Sequence, residues 1–159
     1  MISSLPTLES SRLVLRPFQQ SDHESVFLGL SHPEVIRYYG ISFATLEGAQ
    51  EQMEWFAKLE KERYGCWWAM CRQEDGTFLG GGGLNDWQHD FKKAEIGFWL
   101  LPEFWAKGYM TEAMPLISNY AFTELGILRI EGYVESENIA CIKGLLKLGY
   151  HFEGTLRDY

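Results

Sequence analysis

The stretch Trp105-Ala-Lys-Gly-Tyr-Met-Thr-Glu-Ala113 carries a lysine and a glycine directly ahead of a helical pattern. Apolar residues at Met110, Ala113, Met114, Ile117, Ala121 and Leu125 form one helical stripe, and Gly126 follows as a stop signal. The preceding run, Ala94-Glu-Ile-Gly-Phe-Trp-Leu-Leu101, reads as a strand. A short loop holding Lys107 and Gly108 therefore feeds a helix N-terminus. Unpaired amides and the positive end of the helix dipole gather there, which suits a phosphate. Gly108 lets a ligand approach the backbone and tolerates positive φ. One lysine and one glycine also fit an ordinary strand–loop–helix connection.

Glu95 is the second candidate. By the two-residue period of a strand it shares a face with Gly97 and Trp99. A carboxylate on a central strand tends to have a raised pKa, as a general base requires, and the same burial serves a purely structural carboxylate. Asn138 precedes an apolar-periodic helix and reads as its N-cap, with Cys141 three residues on. The three cysteines, Cys66, Cys71 and Cys141, have no metal-type spacing. Cys66 and Cys71 lie in one strand-like run, too far apart for an unstrained disulfide, so free thiols are expected. His23, His32, His89 and His151 form no ligand pattern, and no metal site is expected.

The elements that must position these groups follow from pattern. Arg12–Arg16 alternates as a first strand closed by Pro17, and Ser21-Asp22 cap a short helix through about Leu30. Pro33 starts a further turn ending near Gly40. A long helix is expected over Thr45–Arg63, then a strand over Cys66–Arg72, a hairpin turn at Glu74-Asp-Gly76, and the partner strand Thr77–Asn85. The central strand covers Phe91–Leu100. A strand over Arg129–Glu135, a helix over Asn138–Leu148 closed by Gly149, and a last strand over Tyr150–Arg157 complete the order. The plan is α+β with a mixed sheet, in one domain spanning residues 1–159.

Hydrophobic residues make up 46% of the chain, so a full core is available, and no apolar stretch reaches the length of a membrane span. The start, Met-Ile-Ser-Ser-Leu-Pro, has neither a basic nor an apolar leader region, and a cytoplasmic protein is expected. A formal charge of −8 argues against nucleic acid as a direct partner. With 24 aromatic residues, Tyr38, Tyr39, Trp67, Trp68 and Trp87 offer material for an acceptor pocket, although core packing explains most of them.

Glu95-Ile-Gly-Phe-Trp-Leu100 followed by Pro102-Glu-Phe-Trp-Ala-Lys-Gly-Tyr-Met-Thr-Glu-Ala113 resembles the acetyl-CoA-binding core of the GNAT N-acetyltransferases. The branch it most resembles contains the ribosomal-protein-alanine acetyltransferases. The likeness includes Leu8-Glu-Ser-Ser-Arg-Leu-Val-Leu-Arg-Pro17, Leu128-Arg-Ile-Glu-Gly-Tyr-Val134, Asn138 and Leu148-Gly-Tyr-His-Phe-Glu-Gly154. It implies the GNAT fold, a mixed, mostly antiparallel sheet flanked by helices. It also implies direct acetyl transfer from acetyl-CoA to a primary amine, such as a protein N-terminus or a small-molecule amine, without metal. A non-catalytic acyl-CoA-binding protein on the same fold is the alternative.

On this resemblance, acetyl-CoA lies between the Glu95–Leu100 and Arg129–Glu135 strands. Phe98, Trp99 and Leu100 line it, its pyrophosphate meets Trp105, Ala106, Lys107, Gly108, Tyr109, Met110 and Thr111, and Asn138 touches the pantetheine arm or the adenosine phosphates. Glu95 is the implied base. Cys141 stands where the branch usually has serine, a candidate proton donor to the leaving thiolate. Trp105 and Met110 depart from the strict loop pattern of the family.

Two features depart from the family more broadly. Gly80-Gly-Gly-Gly83 lies inside a strand, where a bulge or a floor kept clear for substrate is expected ahead of a phosphate cradle. The family also has a closing strand beyond Arg157-Asp-Tyr159. Without it the Tyr150–Arg157 strand has an open edge, and either a homodimer or a longer polypeptide is expected to cover it.

Overall fold

The structure is a computed structural model and describes residues 4–157. The first three residues of the leader reading and the last two of the expected tail lie outside the described residues. Six strands form one sheet in the order β1 to β6: Leu8–Glu9, Leu13–Pro17, Cys66–Arg72, Phe78–Gln88, Lys93–Leu100 and Arg129–Glu131. Neighbours are antiparallel except β5 and β6, which run parallel. The helices are α1 (His23–Leu30), α2 (Pro33–Ile36), α3 (Gln50–Lys61), α4 (Tyr109–Glu124) and α5 (Ile139–Lys147). No helix among the described residues is long and apolar enough to cross a membrane.

Strand alternation sorts the core into two layers. Trp68 and Met70 of β3, with Ala94, Ile96 and Leu100 of β5, face Met114, Ile117 and Ala121 of α4 and Leu145 of α5. Trp67 and Trp99, one residue out of phase, face Val26 and Leu30 of α1 and Met53, Phe56 and Leu59 of α3. Glu95 and Gly97 lie on this second face by the same parity.

Four elements differ from the sequence reading. α3 begins at Gln50, because Thr45 turns the chain first, its hydroxyl accepting the Gly48 amide at 2.9 Å. Asp22 does not cap α1 with its side chain. Its carboxylate instead accepts the Gln19 amide at 2.7 Å and pairs with Arg16 at 2.8 Å. β6 stops at Glu131 rather than Glu135. Tyr150–Arg157 forms no ladder with any described strand, and its link to β6 is the side-chain pair of Arg129 with Glu153 at 2.6 Å. Extended chain without a paired neighbour gains none of the backbone bonds that define a strand.

The glycine run is a bulged, fully packed stretch. Met70 pairs with Gly80 and Cys71 with Phe78, which leaves Leu79 as the extra residue. A Cβ on Gly83 would lie 2.3 Å from the Cys66 carbonyl, and one on Gly81 3.1 Å from the Phe18 ring. Phe18, Trp67 and Trp99 cover the run, so it is no open floor for substrate and no phosphate cradle.

Candidate active site

The parallel pairing of β5 with β6 covers only Lys93, Ala94 and Glu95. Beyond Glu95 the β5 edge has no strand partner among the described residues. Which β5 groups face that edge follows from the antiparallel ladder on the other side. The Leu101 amide donates to the Leu79 carbonyl at 2.9 Å. Hydrogen-bonded pairs alternate along such a ladder, so Trp99 and Gly97 also turn their backbone toward β4. Phe98 and Leu100 turn theirs to the open edge. Trp99 therefore offers that edge neither backbone nor side chain, since its indole is buried against α1 and Gly81. Of the three β5 residues expected to line the coenzyme, Phe98 and Leu100 face the open edge and Trp99 is turned from it. The Leu100 carbonyl is taken by the Trp105 indole N–H at 2.8 Å, which ties the loop to the strand end.

The loop after β5 is built from unusual backbone. Ala106 has φ 59° and Gly108 φ 80°, both left-handed. A non-glycine residue there is uncommon, and such conformations concentrate at functional sites. Gly108 is the N-cap of α4 and supplies no side-chain cap, so the first amides of the helix, from Tyr109 to Thr111, have no capping side chain. The Thr111 hydroxyl donates to the Gly108 carbonyl at 3.0 Å. A Cβ on Gly108 would lie 3.2 Å from the Arg12 guanidinium. Open amides, a helix dipole and a glycine at the closest approach fit a diphosphate.

Glu95 lies half-buried at the point where β5 and β6 part. Burial pushes its carboxyl up, and repulsion from Asp86 and Glu131 adds to this. Asp86 arrives through a second bulge, where its φ is 51° and the β4–β5 register shifts. Glu131 is neutralised by Lys93 at 3.0 Å and is held below the usual carboxylate range. Glu95 has no such ion-pair partner among the described residues, and its carboxyl is raised where that of Glu131 is lowered. On the same side Tyr39 is raised by burial and by Glu95, and the Trp67 ring lies 3.1 Å from the Cβ position of Gly97.

Of the other aromatic candidates, Trp68 is in the opposite core layer and donates to the Pro6 carbonyl, Trp87 stacks on His89, and Tyr38 lies under Arg37. A cleft of about 720 Å³ opens between the Gly40–Phe43 segment and α3, lined by Glu51, Gln52, Glu54, Trp55 and Lys58. Trp55, on the wall of this cleft, packs edge-on against Trp67 at 6.0 Å. Sequence reasoning did not find it. The Gly40–Phe43 loop and α3 meet only in the fold, and the one local signal was a polar Gln52 inside an apolar helix stripe.

Asn138 caps α5, its side-chain oxygen accepting the Cys141 amide at 3.3 Å. Cys141 is half-buried, and burial pushes its thiol up to about 11. Cys66 and Cys71 are buried, and all three thiols are free. Among the described residues no group of His, Cys, Asp or Glu could hold a metal ion.

The sheet ends in a short parallel pair that stops at Glu95, and the chain leaving β5 leads into an uncapped helix N-terminus. The Acetyltransferase (GNAT) domain family matches residues 12–151. The uncharacterized N-acetyltransferase YoaA of Bacillus subtilis is 36% identical over 97% of this chain and 88% of its own. Spermidine N-acetyltransferase from Vibrio cholerae, solved in complex with CoA and spermine, superposes with a TM-score of 0.82 at 20% identity, over 92% of this chain and 85% of that one. Ribosomal-protein-S5-alanine acetyltransferase from Vibrio fischeri gives a TM-score of 0.79 at 18% identity, over 94% and 85%. This chain belongs to the GNAT family and is an acetyltransferase.

Proposed function

We propose that the protein transfers the acetyl group of acetyl-CoA to a primary amine, with Glu95 as base and the Trp105–Thr111 loop as the diphosphate site. The observation that carries this reading is the juxtaposition along β5. A carboxylate with a raised pKa stands at one end of the open edge, and an uncapped helix N-terminus stands at the other.

The chemistry needs few groups. An incoming ammonium loses a proton to Glu95, directly or through water. The free amine attacks the thioester carbonyl, forming the new C–N bond. The Phe98 amide, turned to the open edge, is placed to donate to the oxyanion. Collapse breaks the C–S bond and releases the coenzyme thiolate; the nitrogen sheds its remaining excess proton to solvent, and the thiolate needs one in return. Cys141 is a poor source for it. With its thiol near 11, transfer to a coenzyme thiolate of ordinary thiol pKa is uphill by about 3 kcal/mol. Solvent is the simpler donor, and Asn138 acts as a helix cap.

The acceptor enters from the Tyr39–Trp67 side, through the cleft with Glu51 and Glu54 at its wall. The test is acetyl-CoA consumption, read as thiol release, against a panel of amino-terminal peptides, polyamines and small xenobiotic amines. Amine-dependent turnover is expected. Hydrolysis at the same rate with and without every amine would reject the reading.

A further inference from the structure

The opening strand motif, Ser10-Ser-Arg12, has no part in the chemistry above, yet its side chains reach the coenzyme loop. The Ser10 hydroxyl donates to the Glu112 carboxylate. The Arg12 amide donates to the same oxygen at 3.0 Å, and its Nε donates to the other at 2.8 Å. Another guanidinium nitrogen donates to the Lys107 carbonyl at 2.9 Å. The guanidinium plane lies 4.6 Å above the Tyr109 ring centre. One arginine thus grips the residue before Gly108, the residue after it, and a carboxylate in the first turn of α4.

That carboxylate poses a problem for an anion site. Glu112 stands in the first turn of α4, where its charge favours the helix dipole but repels a diphosphate. Burial alone would raise its pKa, and the bonds from Ser10 and Arg12 more than offset this, so it remains ionised. Arg12 supplies the compensating charge.

We propose that Arg12 is a positioning residue of the coenzyme site: it fastens the Lys107–Gly108 turn to the β1–β2 hairpin and cancels the Glu112 charge beside the diphosphate. A planar fork is suited to this, since it holds a carboxylate and a carbonyl at once. The hairpin thereby becomes part of the coenzyme site although it contributes no direct ligand.

This rests on the loop being the diphosphate site, so the test carries a control for that reading. Calorimetry with coenzyme A is run on the parent, Arg12→Ala, Arg12→Ala/Glu112→Gln and Gly108→Trp, together with steady-state kinetics. Arg12→Ala is expected to weaken coenzyme A about tenfold, equivalent to ~1.4 kcal/mol. The KM for acetyl-CoA should rise in step, with kcat and the acceptor KM within about twofold. The double variant should bind more tightly than Arg12→Ala, because the uncancelled charge is gone. A merely structural arginine would lower kcat and folded fraction without this recovery. If Arg12→Ala does not fold, the neutral, similarly sized Arg12→Gln carries the same expectations. Affinity within twofold of the parent for the arginine variant, or no recovery in the double variant, overturns the proposal. If Gly108→Trp still loses affinity in that case, the loop reading stands without the clamp. If Gly108→Trp also binds normally, the loop reading falls as well.

Discussion

The two ends of the β5 edge are made from different materials. At the proposed coenzyme end the candidate groups are main chain: the Phe98 amide, the left-handed turn through Ala106 and Gly108, and the uncapped amides from Tyr109 to Thr111. At the proposed acceptor end they are side chains from distant segments: Tyr39 and Trp67 on the Glu95 side, with burial and then Asp86 and Glu131 raising the Glu95 pKa. A backbone site is specified by local conformation and tolerates varied side chains, as Trp105 and Met110 illustrate. A side-chain site changes with every residue that lines it. A family can therefore keep one coenzyme end while its acceptor ends diverge.

Substitutions at the two ends test this division. Glu95→Gln keeps shape and removes the base, and turnover at pH 7 should fall about 10²-fold. The loss should shrink at high pH, where free amine is abundant, and coenzyme A affinity should hold. Unaltered turnover and pH profile would make Glu95 structural. At the other end, Gly108→Trp should weaken coenzyme A tenfold or more, about 1.4 kcal/mol. Unchanged affinity by calorimetry would remove the diphosphate from this loop.

A subtler test separates charge from shape at the acceptor end. With Glu95 as the proposed base, the deprotonated form is the working one, and a raised pKa is expected to move the acid limb of the kcat/KM profile upward. Asp86→Asn removes one repelling charge, so the Glu95 pKa should fall and the acid limb of the profile should move to lower pH. A limb that stays or moves upward would show that Asp86 does not act on the base. The smallest effect is expected at Cys141. Cys141→Ala should leave kcat within about threefold, since no general acid worth 10²-fold is removed. A 10²-fold loss would reinstate the thiol as the proton donor.

The strand–loop–helix unit proposed as the coenzyme end was legible in the sequence because it is local. The strand Ala94–Leu101, the Lys107-Gly108 loop and the Met110–Leu125 stripe are adjacent in the chain, and a helix N-terminus carries open amides wherever it forms. Glu95 was legible as a candidate through strand parity alone. The same parity could place Trp99 on the Glu95 face, but it could not say that the Trp99 backbone would be committed to β4. That depends on which pairs of the ladder are hydrogen-bonded, a property of two strands rather than one.

Sequence alone thus determined the order of elements from β2 to α5, the GNAT likeness and the free thiols, and it marked the Lys107-Gly108 loop as the candidate coenzyme site. Periodicity, turn chemistry and an uncapped helix start are encoded within a few residues of each other. Only the tertiary structure decided that β5 and β6 part after Glu95, that a bulge brings Asp86 to repel it, and that the glycine run lies under Phe18, Trp67 and Trp99. It alone brought Arg12 to the loop, about a hundred residues away in the chain. These depend on which distant segments share a face of the sheet and on the charge each finds there, and no local pattern records that.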